Sequence, residues 1–181
     1  MIARDELQEV TIDFETYYDQ EYSLSNMTTA QYIFDPRFEA LMVGIKIGDL
    51  PTRIHDRETM RVALAAAFET PSILIAHNAM FDASILAWKF GIRPARFFCT
   101  FMAANAVVGA FTKTNLASVA KFLQIGEKGE ELLKTKGKRM PDFSAQEWMD
   151  FSNYCAQDVE LTHRAYRILN RWYTEHQINV A

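Results

Sequence analysis

Only two of the 181 residues are cysteines, Cys99 and Cys155, which is too few for a disulfide framework and lacks zinc-site spacing. A reducing, cytoplasmic setting is therefore expected. No apolar run approaches the ~18 residues of a membrane-spanning helix. The first residues include acids and lack an apolar core, unlike a secretion signal. Nor is there an internal repeat, a low-complexity tract or a linker, so residues 1–181 are expected to form one domain with a substantial core. Net positive charge is missing as well. A balance of −4 argues against nucleic acid as a partner, unless bound cations mask several acids. The four histidines, His55, His77, His163 and His176, show no paired metal-ligand spacing.

What is present is 49% hydrophobic and 23% charged, the balance of a globular protein. Basic residues are uneven, with Lys113, Lys121, Lys128, Lys134, Lys136, Lys138 and Arg139 crowding one segment. Val10 to Phe14 reads as a strand, Thr28 to Phe34 as a short helix, and Leu41 to Ile47 with Thr52 to His55 as a hairpin. Asp56 is placed to cap a helix from Arg57 to Glu69. Ile73 to Ala76 reads as a strand buried on both faces, leading into a helix from Ala79 to Phe90. A strand at Phe97 and Phe98 precedes helices from Phe101 to Val108 and after Thr114 or Asn115, the latter closed by Gly126. Glu127 to Phe143, punctuated by glycine and proline, reads as a segment without rigidity. Ser144 and Glu147 form a capping box for a last long helix, with a kink left open. The pattern predicts an α/β fold whose sheet begins antiparallel and continues parallel, flanked by helices.

In a strand over Thr11 to Thr16, Asp13 and Glu15 share one face. A carboxylate is costly to desolvate, so the pair either meets solvent at an edge or binds cations. Asn78 and Asp82 are four apart on a helix, as are Tyr154 and Asp158. Alone, each pair has an ordinary reading as a cap, a first-turn acid or a surface residue.

Together and in order, IDFET, HNAMFD and YCAQD resemble the three motifs of the DEDD superfamily of 3'–5' exonucleases. They read like the proofreading exonuclease domain of bacterial and phage family A DNA polymerases. Asn153 stands where the histidine subtype carries its histidine, whereas Tyr154-x3-Asp158 fits the tyrosine subtype. Cys99-Thr100 departs from the Asp-Thr of many relatives. The resemblance implies a ribonuclease H-like fold and catalysis by Asp13, Glu15, Asp82, Tyr154 and Asp158. Two divalent cations, Mg²⁺ or Mn²⁺, would be held by the four acids. Such paired ions, about 3.5–4 Å apart, clamp the attacking and leaving oxygens of a phosphodiester. All-oxygen ligands favour hard cations over zinc.

The resemblance also implicates Thr16, Asn78 and Phe81 in holding the 3' end, with His77 either structural or beside them. Phe81 has a second reading as core, on a stripe with Ile85 and Trp88. Lys134, Lys136, Lys138 and Arg139 either steer the phosphate backbone or belong to a solvated loop. The expected substrate is the 3' end of single-stranded DNA, releasing 5'-mononucleotides, and a DNA polymerase is an expected partner. The alternatives are a 3'–5' exoribonuclease or a catalytically silent nucleic-acid or polymerase-binding module.

Overall fold

The structure, a computed structural model, describes residues 6–127 and 135–175. Strand β1, Gln8–Thr16, buries Val10, Ile12 and Phe14 in one core. At roughly 1.5–3 kcal/mol per large apolar side chain, such burial outweighs the ~0–1 kcal/mol of a surface ion pair. Apolar alternation therefore decides which face β1 turns inward. Helix α1, Thr29–Phe34, follows, opened by a reciprocal capping box of Thr28 and Gln31. Then β2, Ala40–Ile47, pairs antiparallel with β1, and β3, Arg53–Asp56, pairs antiparallel with β2.

Strand β4, Ser72–Ala76, runs parallel to β1 and is buried along its length, which accounts for its unbroken Ile-Leu-Ile-Ala run. Strand β5, Arg96–Cys99, joins β4 in parallel. The sheet order is β3-β2-β1-β4-β5, the mixed sheet that the element pattern predicts. Helices cover both faces. Helix α2, Met60–Ala67, and helix α3, Ala79–Ile85, close one core with α1. Helix α4, Thr100–Val108, helix α5, Leu116–Phe122, and helix α6, Ala145–Glu175, lie over the other. Among the described residues no helix is long and apolar enough to cross a membrane.

Several boundaries differ from expectation for local reasons. Helix α2 starts at Met60 rather than Arg57, because Asp56 stays in β3 and its Oδ1 accepts from Glu58 N, Thr59 N and the Thr59 hydroxyl. Helix α3 passes into one π-helical turn, Leu86–Phe90, before Gly91 stops it at φ 72°. Helix α5 ends at Phe122, ahead of Gly126, since Gln124 takes a left-handed φ of 56°. Asn115 is its cap, accepting from Ser118 N at 3.0 Å. Helix α6 is one continuous element of 31 residues, opened by the expected Ser144–Glu147 box.

Residues 135–143 are ordered rather than loose: Thr135 is buried, Gly137 N donates to Tyr18 O at 2.7 Å, and a 3-10 turn spans Met140–Asp142.

One glycine sets how closely α6 approaches the sheet. A Cβ on Gly44 of β2 would fall 2.7 Å from Val159 Cγ2 and 3.1 Å from Cys155 Sγ. Because Gly44 faces Asp13 across the ladder, that close crossing brings α6 over the acidic end of β1.

Candidate active site

Parallel pairing of β1 with β4 ends at Thr11 and Ile75, so Asp13 and Glu15 lie beyond the β4 pairing, on a stretch of β1 that only β2 still flanks. Ligands of open α/β sheets collect in this place, past the carboxyl ends of parallel strands. One atom each from the Asp13 and Glu15 carboxylates and the Cys155 thiol lie within 4.8 Å of one another. Asp13 and Asp158 line a cleft of about 630 Å³ with His77, Asn78, Phe101, Asn115 and Leu116.

Asp82 reaches the site from α3 and is only 3% exposed. Beyond Thr11 no β4 residue pairs with β1, and Asp82 Oδ1 accepts the Phe14 N–H at 3.1 Å. Burial, and then the charge of Asp13, push its carboxyl well above the usual carboxylate range. An acid so placed is stable as a carboxylate when a cation offsets both costs. The donor set consists of hard carboxylate oxygens, which suits a small divalent cation. Burial raises the Cys155 thiol, as do the charges of Asp13 and Glu15. It therefore stays protonated, donates to Asp13 O at 3.6 Å, and adds no thiolate ligand.

Motif two is shaped by its backbone. Asn78 occupies the position before α3 with a left-handed φ of 69° and makes no side-chain cap. The capping role that its type suggests is not used, and its side chain faces the cleft. Asn tolerates this conformation better than most residues. The Thr100 hydroxyl lies 2.9 Å from His77 Nδ1 and 3.3 Å from Ala76 O, which holds the His77 ring against the start of α4. Where many relatives have aspartate, Cys99 Sγ accepts the Ala79 N–H at 3.4 Å. The departure is thus accommodated at the start of α3.

Tyr154 is half-buried on α6, against the cluster of Leu41, Met42, Phe151 and Cys155. Asp158, one turn later, is buried rather than solvated. Thr16 ends β1 beside a shift in the β1–β2 register, and its hydroxyl lies 2.8 Å from Tyr32 Oη. Phe81 packs 5.9 Å from the Tyr32 ring, in the core between α1 and α3.

The basic cluster is largely tied down. Lys138 pairs with Glu147 at 2.5 Å, and Arg139 pairs with Glu39 while lying 3.9 Å over the Tyr17 ring. Lys136 is exposed, and Lys134 lies outside the described residues.

Sequence reasoning did not single out Phe101, Asn115 or Leu116 as cleft residues, nor Gly44 as a packing device. Helix-start patterns locate the first three, but only strand order shows that those starts share one opening.

A mixed sheet of this order, with carboxylates from β1, α3 and α6 gathered past its parallel strands, defines a ribonuclease H-like nuclease fold of the DEDD type. The chain belongs to the 3'-5' exonuclease family, whose pattern it matches over residues 2–172. It is similar to the DNA polymerase of Bacillus phage SP02, 28% identical over 178 aligned positions that take in 86% of this chain. That alignment covers 27% of the polymerase, so the chain spans about a quarter of that relative.

Brucella melitensis NrnC shares the fold with a TM-score of 0.69 and 20% identity, over 95% of this chain and 76% of that one. NrnC has also been solved with bound Mg²⁺ and bound to pGG. The catalytic core of RRP6 from Trypanosoma brucei gives 0.66 and 16%, over 94% of this chain and 43% of that one.

Proposed function

We propose that the protein is a metal-dependent 3'–5' exonuclease acting at the 3' end of single-stranded DNA and releasing 5'-mononucleotides. The observation that carries this reading is the convergence of Asp13, Glu15, Asp82 and Asp158 from three distant segments. The likeness to a phage DNA polymerase supports DNA as substrate and proofreading, within or beside a polymerase, as the setting.

Asp13 would serve two Mg²⁺ or Mn²⁺ ions, with Glu15 and Asp158 completing one site and Asp82 serving the other. The ions would offset carboxylate repulsion and stabilise charge on the transferring phosphoryl group. Tyr154 would orient the attacking water with its hydroxyl, helping to position it or move its proton. Thr16, His77, Asn78 and Phe81 would hold the terminal nucleotide, and exposed Lys136 would attract its backbone, whereas Lys138 and Arg139 are engaged by Glu147 and Glu39.

Wild-type protein should shorten 5'-labelled single-stranded DNA stepwise in Mg²⁺, and Asp13→Ala should not. Equal digestion by both would overturn the assignment. A competing reading keeps the chemistry and takes RNA, and matched DNA and RNA oligonucleotides separate the two. Intact oligonucleotide in both Mg²⁺ and Mn²⁺ would instead point to a silent nucleic-acid or polymerase-binding module.

A further inference from the structure

Phe34 at the end of α1 and Trp88 in the π-helical turn are 62% and 45% exposed, and their ring centroids lie 4.9 Å apart. Exposed apolar surface rimmed by polar groups marks a contact site. Beside the pair runs a groove of about 400 Å³, lined by Phe38, Glu39, Arg57, Arg61, Lys89 and Phe90 among others. Lys89 joins the two features. Its Nζ lies 4.9 Å from the Phe38 centroid and 5.7 Å from that of Phe34.

The cations of this groove are held without being neutralised. The Arg61 guanidinium lies 5.1 Å over the Phe90 ring, and its Nη2 donates to Lys89 O at 3.2 Å. Among the described residues neither Arg61 nor Lys89 forms an ion pair with a carboxylate. The one carboxylate in the lining, Glu39, is shared by Arg57 at 3.6 Å and by Arg139. On a chain of net charge −4, such a local excess of positive charge favours an anion. The rare π-helical turn Leu86–Phe90 supplies Trp88, Lys89 and Phe90 in succession, and turns of this kind recur at functional sites.

The groove also lies near the acidic cleft. Its Ala40 faces Thr16 across the β1–β2 ladder, and Met42 faces Glu15. Two residues of strand, about 7 Å, separate those positions. The groove opens on the α2 side of the sheet and the cleft on the α6 side, so a strand passing over the end of β1 reaches both.

We propose that this groove binds single-stranded nucleic acid, with Arg61, Lys89 and Arg57 taking backbone phosphates and the Phe34–Trp88 pair stacking an unpaired base. Stacking requires an open base face, which selects a single strand over a duplex. That the held segment lies upstream of a 3' end in the cleft rests on the exonuclease reading; binding in the groove does not.

The test measures Kd for single-stranded DNA in Ca²⁺, using full-length protein and oligonucleotides of about 4 and about 16 nucleotides, the span of known single-strand site sizes. Trp88→Ala should weaken the longer strand by about fivefold or more, the lower end of stacking one base. Arg61→Gln with Lys89→Gln should lower the slope of log Kd against log salt by about 1.4, the loss of two phosphate contacts. Both variants should bind the shorter strand as wild type does. In wild type, photocrosslinking from 5-iodouracil placed along the longer strand should label Phe34 or Trp88.

An unchanged Kd and salt slope on the longer strand would overturn the proposal, as would equal losses on both lengths. Crosslinks that spare the groove would overturn it even if the variants failed to fold. So would self-association that Trp88→Ala abolishes while DNA binding persists, since the pair would then serve a second copy of the chain. Groove-dependent binding without cleavage in Mg²⁺ would refute the exonuclease reading and leave this inference supported. Cleavage with no groove dependence would do the reverse.

Discussion

Asp82 on α3 accepts the backbone N–H of Phe14 on β1 across 3.1 Å, binding the second sequence motif to the first. The bond lets one carboxylate serve two purposes. Oδ1 completes the hydrogen bonding of β1 where β4 no longer pairs with it, and the charge remains beside Asp13.

The two purposes can be separated. Asp82→Asn keeps an oxygen for Phe14 and loses the charge. It should fold normally, melt at or above the wild-type temperature without metal, and lose about 100-fold or more in cleavage rate. Asp82→Ala also strands the buried N–H and should lose about 1–3 kcal/mol of stability in urea titrations. Equal stability of the two variants would show that the bond to Phe14 matters little.

Gly44→Ala should destabilise the protein by about 1–3 kcal/mol, because the new methyl group meets Val159 at 2.7 Å. Denaturation curves measure that loss. Since α6 carries Asp158, cleavage should slow even at temperatures where the variant is fully folded. Full activity in a destabilised variant would separate packing from site geometry.

Tyr154→Phe removes one hydroxyl and leaves the ring in its apolar cluster. Turnover should fall by about 100-fold, the lower end of proton-transfer catalysis. The Mn²⁺ concentration giving half-maximal activity should stay in place. A large rise in that midpoint would assign the hydroxyl to metal binding instead of water positioning.

Metal should stabilise the fold, because Asp13, Glu15 and Asp82 lie close together and repel. At a hundredfold excess over Kd, Mg²⁺ should add about 2.7 kcal/mol, and EDTA should reverse it in thermal melts. Asp13→Asn should raise the melting temperature in EDTA and abolish most of the Mg²⁺ response. An unchanged melt on adding Mg²⁺ or Mn²⁺ would count against a cation site.

Stability should also depend on pH through His163, buried beneath the sheet and 2.9 Å from Thr11 Oγ1. Burial lowers its pKa below 6.5, as do the charges of Arg167 and Lys46, against the opposing pull of Glu9 and Asp49. The unfolded chain then takes the proton first as pH falls. Stability should be complete above about pH 6.5 and decline as the pH drops toward the lowered folded value. His55 is shifted the same way by burial, so His163→Gln should flatten the decline only in part. Denaturation in EDTA at stepped pH measures it, and a rise in stability over this window would reverse the sign argued here.

Much of the architecture is written in local pattern. The buried Ile73–Ala76 run, the alternation in β1 and the Ser144–Glu147 box each specify an element from neighbouring residues, and those elements formed where expected. Motif order likewise marked Asp13, Glu15, Asp82, Tyr154 and Asp158 as a group. Boundaries slipped where a side chain had two partners to choose from, as at Asp56, whose oxygen serves a turn instead of a helix start.

Tertiary packing alone decided the rest. Only strand order places β4 beside β1, bringing Asp82 to Phe14, and only the crossing at Gly44 sets α6 close enough to present Asp158. The lysine-rich segment has the same composition whether it reaches for phosphate or not. Ion pairs with Glu39 and Glu147, distant or local, determine where Lys138 and Arg139 point. The physical reason is common to all of these. Periodicity and capping act over a few residues, whereas burial, charge pairing and hydrogen-bond direction depend on which distant groups share a volume.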